Sequence, residues 1–529
     1  MRDFQRPGRS PAMSGEAMAA TSHPLATAAA LDVLRRGGNA ADAAVAAVAV
    51  QCVVEPHMTG IGGDCFALMS TADGTLSGLN ASGPAAAAAT SAYYLDRGIK
   101  KIDADSVHSV TVPGAVKGWE TLLSRHGSWG LDRVLEQAIA YAEDGFPVTP
   151  RVALDWSGLV DRLARDPGAS HHYLVDGAAR PAGSRHRSPA LAQTLRAIAA
   201  GGAEAFYTGA IAEDMVATLA GKGGLLTLDD FAGFDVLDAA PIMSDYKGLT
   251  IAELPPNGQG LTALIMLNVL EGFGLQDLDA NGIDRFHLEM EAGRLAYACR
   301  DEAVGDPVTM VHDTDGLASK AFAKTVAAHI DPQRRNPDLA LPPLPHSDTV
   351  YVSVVDRDRN ACSLINSLYQ GFGSAIATEK TGVMFQNRGS CFVVKEGHPN
   401  CIDSGKRPMH TIIPAFALKD GRPSVCFGVM GGAYQPVGHT HVVTNMVDYG
   451  MDIQEAIDAP RVFWDQESGV LEVETALPAS LSDGLRAKGH DVVAAPAAIG
   501  GAQGIVIDWE NGLLIGGSDP RKDGSALGF

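Results

Sequence analysis

Thr349 stands where a proline-rich stretch, LPPLPHSD (341–348), gives way to the alternating run TVYVSVVD (349–356). A threonine hydroxyl is a weak nucleophile, and no base lies beside it in the sequence. Cleavage between Asp348 and Thr349 would change that. The freed α-amine, with a pKa of roughly 8, sits within reach of the same residue's Oγ and can take its proton, so one residue supplies nucleophile and base. A loop that can be displaced before the cut, and a strand that holds the residue after it, are what this chemistry requires. The stretch alone favours a plainer reading, in which Thr349 is a β-branched residue opening a strand.

Other chemistries fit less well. A serine nucleophile elbow needs G-x-S-x-G, which does not occur. SDYK (244–247) and KTG (380–382) echo a penicillin-binding pattern, but SDYKGLTIAEL reads as turn and strand where S-x-x-K chemistry needs a helix start. GIGGD (60–64) lacks the G-K-[ST] ending of a phosphate loop and precedes a strand, which suggests a tight turn or a close backbone approach. His439 and His441 form an incomplete metal site, better read as capping or core hydrogen bonding. His171-His172 reads as a solvated pair in a polar loop. No metal or cofactor is called for.

The elements that must position Thr349 can be read around it. TVYVSVVD and NACSLINSL (360–368), joined through Arg357-Asp358-Arg359, form a hairpin signature with alternating faces. Further strands are expected near 382–387, 411–418, 424–430 and 503–508, and helices at about 437–449 and 453–458. In the first half, Ser22 is expected to cap a helix with Pro24 in its first turn. Asn39 caps a second, alanine-rich helix whose lack of a polar face marks it as buried. Helices are also signalled at 188–202, 210–224 and 283–307, with a strand leading into the Pro/Gly turn of GLTIAELPPNGQG (248–260). Mixed in this way, they imply a layered α/β or α+β body.

Composition narrows the partners. The 529-residue chain is 46% hydrophobic and 19% charged, an ordinary globular balance, and its length allows three or four domains. A net charge of −21 with no local basic cluster repels phosphate backbones and anionic lipid, which argues against nucleic acid and membrane partners. Seven scattered cysteines without CxxC spacing suit reduced, mostly buried thiols. The first residues carry no apolar signal-like core, and AADAAVAAVAVQCVV (40–54) is too short to span a bilayer, so a cytoplasmic location is expected.

Six strings, in order along the chain, carry a resemblance. ATSHPLATAAALDVLRRGGNAADAAVA (20–46), TVPGAVKGW (111–119), ELPPNGQG (253–260), RLAYACRDEAVGDP (294–307), KRPMHTIIP (406–414) and GGSDPRKDGSALGF (516–529) closely resemble the γ-glutamyltransferase family. The resemblance implies an N-terminal nucleophile hydrolase with a four-layer αββα sandwich, of α+β class. It implies a proenzyme cut into a large subunit, 1–348, and a small one, 349–529, headed by Thr349, both building one sandwich. Processed heterodimers that pair further are left open.

Roles carry over by position. Ser367 falls where the family places a hydroxyl that hydrogen-bonds the nucleophile. Gly431-Gly432 fall where backbone N–H groups form the oxyanion hole, and glycines there admit close approach of a tetrahedral oxyanion; a plain turn is the alternative. The substrate clamp departs from the pattern. Asn80 stands where γ-glutamyl enzymes hold the α-carboxylate with arginine, Tyr369 and about Cys391 stand where an asparagine and an aspartate hold the amino group, and His410 and Thr411 replace two serines. Losing a guanidinium fork removes bidentate carboxylate recognition; Arg388 is a further candidate for that partner, or else a solvated surface arginine. The set resembles a branch of the family that includes oxamate amidohydrolase. The expected function is hydrolysis of a small acid amide through an acyl-enzyme on Thr349. The alternatives are γ-glutamyl hydrolysis or transfer on glutathione-like substrates, and an uncleaved binding relative.

Overall fold

In the computed structural model, residues 8–338, 348–465 and 468–529 are described. The proline-rich segment expected to be displaced on cleavage lies outside them, apart from Asp348.

The hairpin around Thr349 forms as its alternation requires. Asp348–Val355 pairs antiparallel with Ala361–Tyr369, and the two are the inner strands of a seven-stranded sheet. Met18–Thr21 and Ser525–Gly528 extend it on one side; Asp64–Ser70, Leu76–Ala81 and Leu237–Asp238 extend it on the other. A second seven-stranded sheet runs Ala12–Ser14, Leu513–Ser518, Gly501–Asp508, Arg422–Met430, Ala415–Lys419, Leu249–Glu253 and Ile242–Tyr246. The two stack face to face, with the Thr349 strand lying over Arg422–Met430 and Gly501–Asp508. Both faces of the inner strands are therefore buried, which is why polar Tyr351, Ser353 and Ser363 occur there only as a hydrogen-bonded set.

Helices cover each outer face. Ala40–Val54 packs beneath the first sheet, buried along its whole length and held at its start by the Asn39–Asp42 capping box. Gly260–Leu270, Gln435–Val447 and Ile453–Asp458 cover the second. The expected αββα sandwich is what the chain forms. Among the described residues no helix is long and apolar enough to cross a membrane. The seven cysteines are free thiols, all buried except half-buried Cys299.

Four local expectations need correction. The first helix, Pro24–Arg35, is capped by His23 and not Ser22: His23 Nδ1 accepts from Leu25 N, while Ser22 Oγ is committed to Glu55 at 2.6 Å. Residues 382–387 form no strand; Met384 and Phe385 make single bridges, because Gly62 brings its backbone against them. The strand expected at 411–418 starts only at Ala415, since residues 410–413 are held by loop and side-chain contacts. His172 is not a solvated loop residue: it lies in the last turn of the short helix Pro167–Tyr173 and bonds Thr378 O at 2.9 Å.

Candidate active site

Thr349 is fully buried, and its Oγ1 lies 3.1 Å from Ser367 Oγ. The register puts them together. Asp348 faces Tyr369 and Val350 faces Asn366, so the ladder slips at Thr349 and leaves it beside Ser367. Ser367 Oγ also accepts from Tyr369 N at 2.8 Å, which fixes the hydroxyl. Across the strand Ser367 is opposite Asp64. Gly63 admits that approach, since a Cβ there would sit 2.3 Å from Ser367 O. The close backbone approach expected of GIGGD is thus made at both Gly62 and Gly63.

Gly431-Gly432 come from the facing sheet. Ser353 Oγ donates to Cys426 O, and Tyr351 packs over Gly428, where a Cβ would be 2.4 Å from the ring. Met430 ends this facing strand, and the two glycines follow it directly. Their φ values are +123° and +54°, conformations that suit glycine. They open a 3-10 turn, Gly432–Tyr434, that runs into the helix Gln435–Val447, and no side chain caps it. First-turn N–H groups lack intrahelical acceptors, so this end of the second sheet presents donors suited to negative charge. Gln259 fixes the turn: its Nε2 donates to Gly432 O at 3.0 Å and Thr411 O at 2.8 Å, and its Oε1 accepts from Arg300 Nη1.

Arg388 is fully buried, in the 3-10 turn Arg388–Cys391. Its guanidinium lies 4.0 Å from the Tyr369 ring centroid and Nη1 donates to Thr411 Oγ1 at 2.8 Å. Nε and Nη2 have no hydrogen-bond partner, and no carboxylate pairs with it among the described residues. A buried guanidinium with two idle donors is costly unless a ligand completes it. The alternative of a solvated surface arginine does not hold. Tyr369 sits between this cation and Ser367, with φ +80°. Burial, followed by neighbouring Cys391, raises its phenol well above the ordinary value, while Arg388 and Arg300 pull the other way.

Asn80 and His410 are placed differently from the expectation that they face substrate. Asn80 Oδ1 accepts from Ser82 N and Oγ, and its Nδ2 donates to Asn257 Oδ1 at 2.8 Å; Asn257 in turn donates to Pro408 O. His410 Nε2 donates to Asp64 Oδ2 at 2.9 Å and its Nδ1 accepts from Ile412 N. Burial, then the Arg388 cation, holds this imidazole well below its ordinary pKa. Burial pushes Asp64 the other way, up to about 7, against Arg388 and the N–H groups of Gly83, Gln386 and Gly114. Both side chains are spent within the fold, where they hold the 406–413 loop that carries Thr411. Among the described residues no group of His, Cys, Asp and Glu is arranged to hold a metal; His439 and His441 pair with Glu253 and Glu289.

The family model for Gamma-glutamyltranspeptidase matches residues 26–529. The chain belongs to that family. It is 37% identical over 524 residues to the glutathione hydrolase-like YwrD proenzyme of Bacillus subtilis, covering 97% of this chain and 98% of that one. It is 36% identical over 531 residues to the oxamate amidohydrolase proenzyme of Klebsiella pneumoniae, covering 98% and 99%. The crystal structure of cephalosporin acylase from Bacillus halodurans superimposes with a TM-score of 0.93 at 38% identity, over 100% of this chain and 99% of that one. This member of the γ-glutamyltranspeptidase family thus has the N-terminal nucleophile hydrolase fold over its whole length.

Asp64, Asn257 and Gln259 escaped the reading of the sequence as site residues. Two of them lie in ELPPNGQG and one in GIGGD, strings that stood out only as motif and turn. Buried polar side chains at Gly-rich turns were the available signal, since each must find partners.

Proposed function

We propose that the chain is a self-processing amidohydrolase that acts on a small amide carrying a carboxylate. In this reading the chain is cut before Thr349 into 1–348 and 349–529, and the new α-amine takes the Thr349 Oγ proton as Oγ attacks the amide carbon. The oxyanion forms against the N–H groups at Gly431-Gly432. The amine then gives its proton to the leaving nitrogen, ammonia for a primary amide. Water, deprotonated by the same amine, releases the acid from the ester on Thr349. Ser367 orients Oγ. Arg388, with Thr411 beside it and the Tyr369 ring beneath, takes the substrate carboxylate; Asn80 and His410 support the loops around it.

The observation that carries this reading is the 3.1 Å contact of Thr349 Oγ1 with Ser367 Oγ at the head of a buried strand. The unpartnered Arg388 donors support the choice of an acidic substrate. Relatives of this chain include both an oxamate amidohydrolase and glutathione hydrolases, so the two substrates are the ones to compare. With Asn80 occupied inside the fold, oxamate is expected to be turned over with the higher kcat/KM. Preferred turnover of glutathione would assign γ-glutamyl chemistry instead. An uncut chain inert toward both would leave a binding protein.

A further inference from the structure

Asp64 has more partners than a structural carboxylate on a strand needs. Oδ1 accepts from Gly83 N at 3.0 Å and Gln386 Nε2 at 2.9 Å, while Oδ2 takes the His410 Nε2 proton. It therefore joins the strand opposite Ser367, the segment two residues before Arg388, and the loop bearing Thr411. The titratable groups that sense it are His410, Arg388, Arg407, Tyr207 and the Cys65 thiol; of these Arg388 is the cation with idle donors. Arg407 is occupied by Ser82 O and Asp235 O.

We propose that capture of an acidic substrate at Arg388 is coupled to uptake of one proton by the Asp64–His410 pair, which acts as a positioning pair for the anion subsite. The inference rests on the acid-amide reading above. Before binding, the Arg388 cation acts on Asp64 through space, without an ion pair, and favours its charged form. An incoming carboxylate neutralises that cation and leaves Asp64 a buried anion without its field, so it takes a proton from solvent. The proton goes to Asp64 Oδ2, which donates to His410 Nε2. The imidazole then carries its own proton on Nδ1, where it now accepts from Ile412 N over 3.3 Å. Losing that weak contact frees the residue next to Thr411, the partner of Arg388. Asp64 lies near 7 before binding, so the exchange falls in the neutral range.

Oxalate is the probe: it cannot be hydrolysed and is fully ionised throughout. On the processed enzyme its dissociation constant is expected to weaken about fivefold from pH 6 to pH 8, the part of a one-unit pKa coupling centred near 7 that falls inside that window. Calorimetry at pH 7 in buffers of different ionisation heat should show net proton uptake. Asp64→Asn should bind oxalate with little pH dependence and take up less proton, the remainder belonging to the Thr349 amine. PH dependence that persists unchanged in Asp64→Asn overturns the proposal. If that variant does not fold, infrared difference spectra of the wild type decide: oxalate must bring up the carbonyl band of a newly protonated carboxyl, and its absence overturns the proposal. Oxalate binding that is equal at both pH values removes the coupling and leaves the acid-amide reading standing. No binding at any pH removes both.

Discussion

Arg388→Met separates a substrate clamp from a structural cation. The wild-type guanidinium is buried with Nε and Nη2 unpartnered. A charge-assisted hydrogen bond contributes about 1.5–3 kcal/mol. Two such bonds to a substrate carboxylate are therefore worth about 3–6 kcal/mol, roughly 10²- to 10⁴-fold in kcat/KM. The loss is expected chiefly in KM, because the clamp is made in ground state and transition state alike. Stability should behave quite differently. The substitution gives up the Thr411 bond and the stacking on Tyr369, worth about 2–4 kcal/mol together. It also removes two buried unpaired donors that cost about 1–3 kcal/mol each. The terms nearly cancel, so the unfolding free energy should change by no more than about 1 kcal/mol. Ammonia release from oxamate, with denaturant unfolding of the same preparation, measures both. The reasoning is refuted by kcat/KM within about threefold of wild type, or by destabilisation of about 3–5 kcal/mol, the signature of a broken buried ion pair.

Other perturbations follow from the same geometry. Ser367→Ala removes the hydroxyl 3.1 Å from Thr349 Oγ1, and kcat should fall about ten- to thirtyfold, while Ser367→Thr keeps most of the rate. Gly431→Ala places a Cβ 2.9 Å from Gly500 Cα at φ +123°; kcat/KM should fall at least about 100-fold with circular dichroism unchanged. Burial holds His490 at about 3, next to His287, below the ordinary histidine value near 6.5. Its contribution to stability is thus full above about pH 6.5 and lost as pH falls toward 3, because the unfolded chain binds a proton the native one refuses. His490→Gln should flatten the fall in unfolding free energy from urea titration between about pH 6.5 and pH 4 by up to about 1.4 kcal/mol per pH unit relative to wild type. An equally steep fall in the variant would show that His490 is protonated in the native state.

How far the sequence carried depends on the range of the interactions involved. Asn39 and an all-apolar surface marked the buried helix Ala40–Val54, because cap and burial are local signals. The Thr349 hairpin was legible from its alternation for the same reason. The αββα sandwich came from whole-chain resemblance and not from periodicity, and chain length alone suggested more domains than one sandwich. Ser22 was misread as a cap because its hydroxyl answers to Glu55, on the far side of a helix. His410 and Asn80 were expected at the substrate since their motif positions point there. Their actual partners, Asp64 and Asn257, lie 346 and 177 residues away along the chain, and nothing local announces such pairs. Arg388 balanced between clamp and surface residue until burial decided that it lies inside.

The central claim is that Thr349 becomes an N-terminus. Intact mass of freshly purified protein, with N-terminal sequencing of any smaller fragment, tests it most directly. The expected result is two chains, the smaller beginning Thr-Val-Tyr-Val, and a single uncut chain when Thr349 is replaced by alanine. A wild-type chain that remains whole while hydrolysing oxamate, or a cut at any other bond, would contradict it.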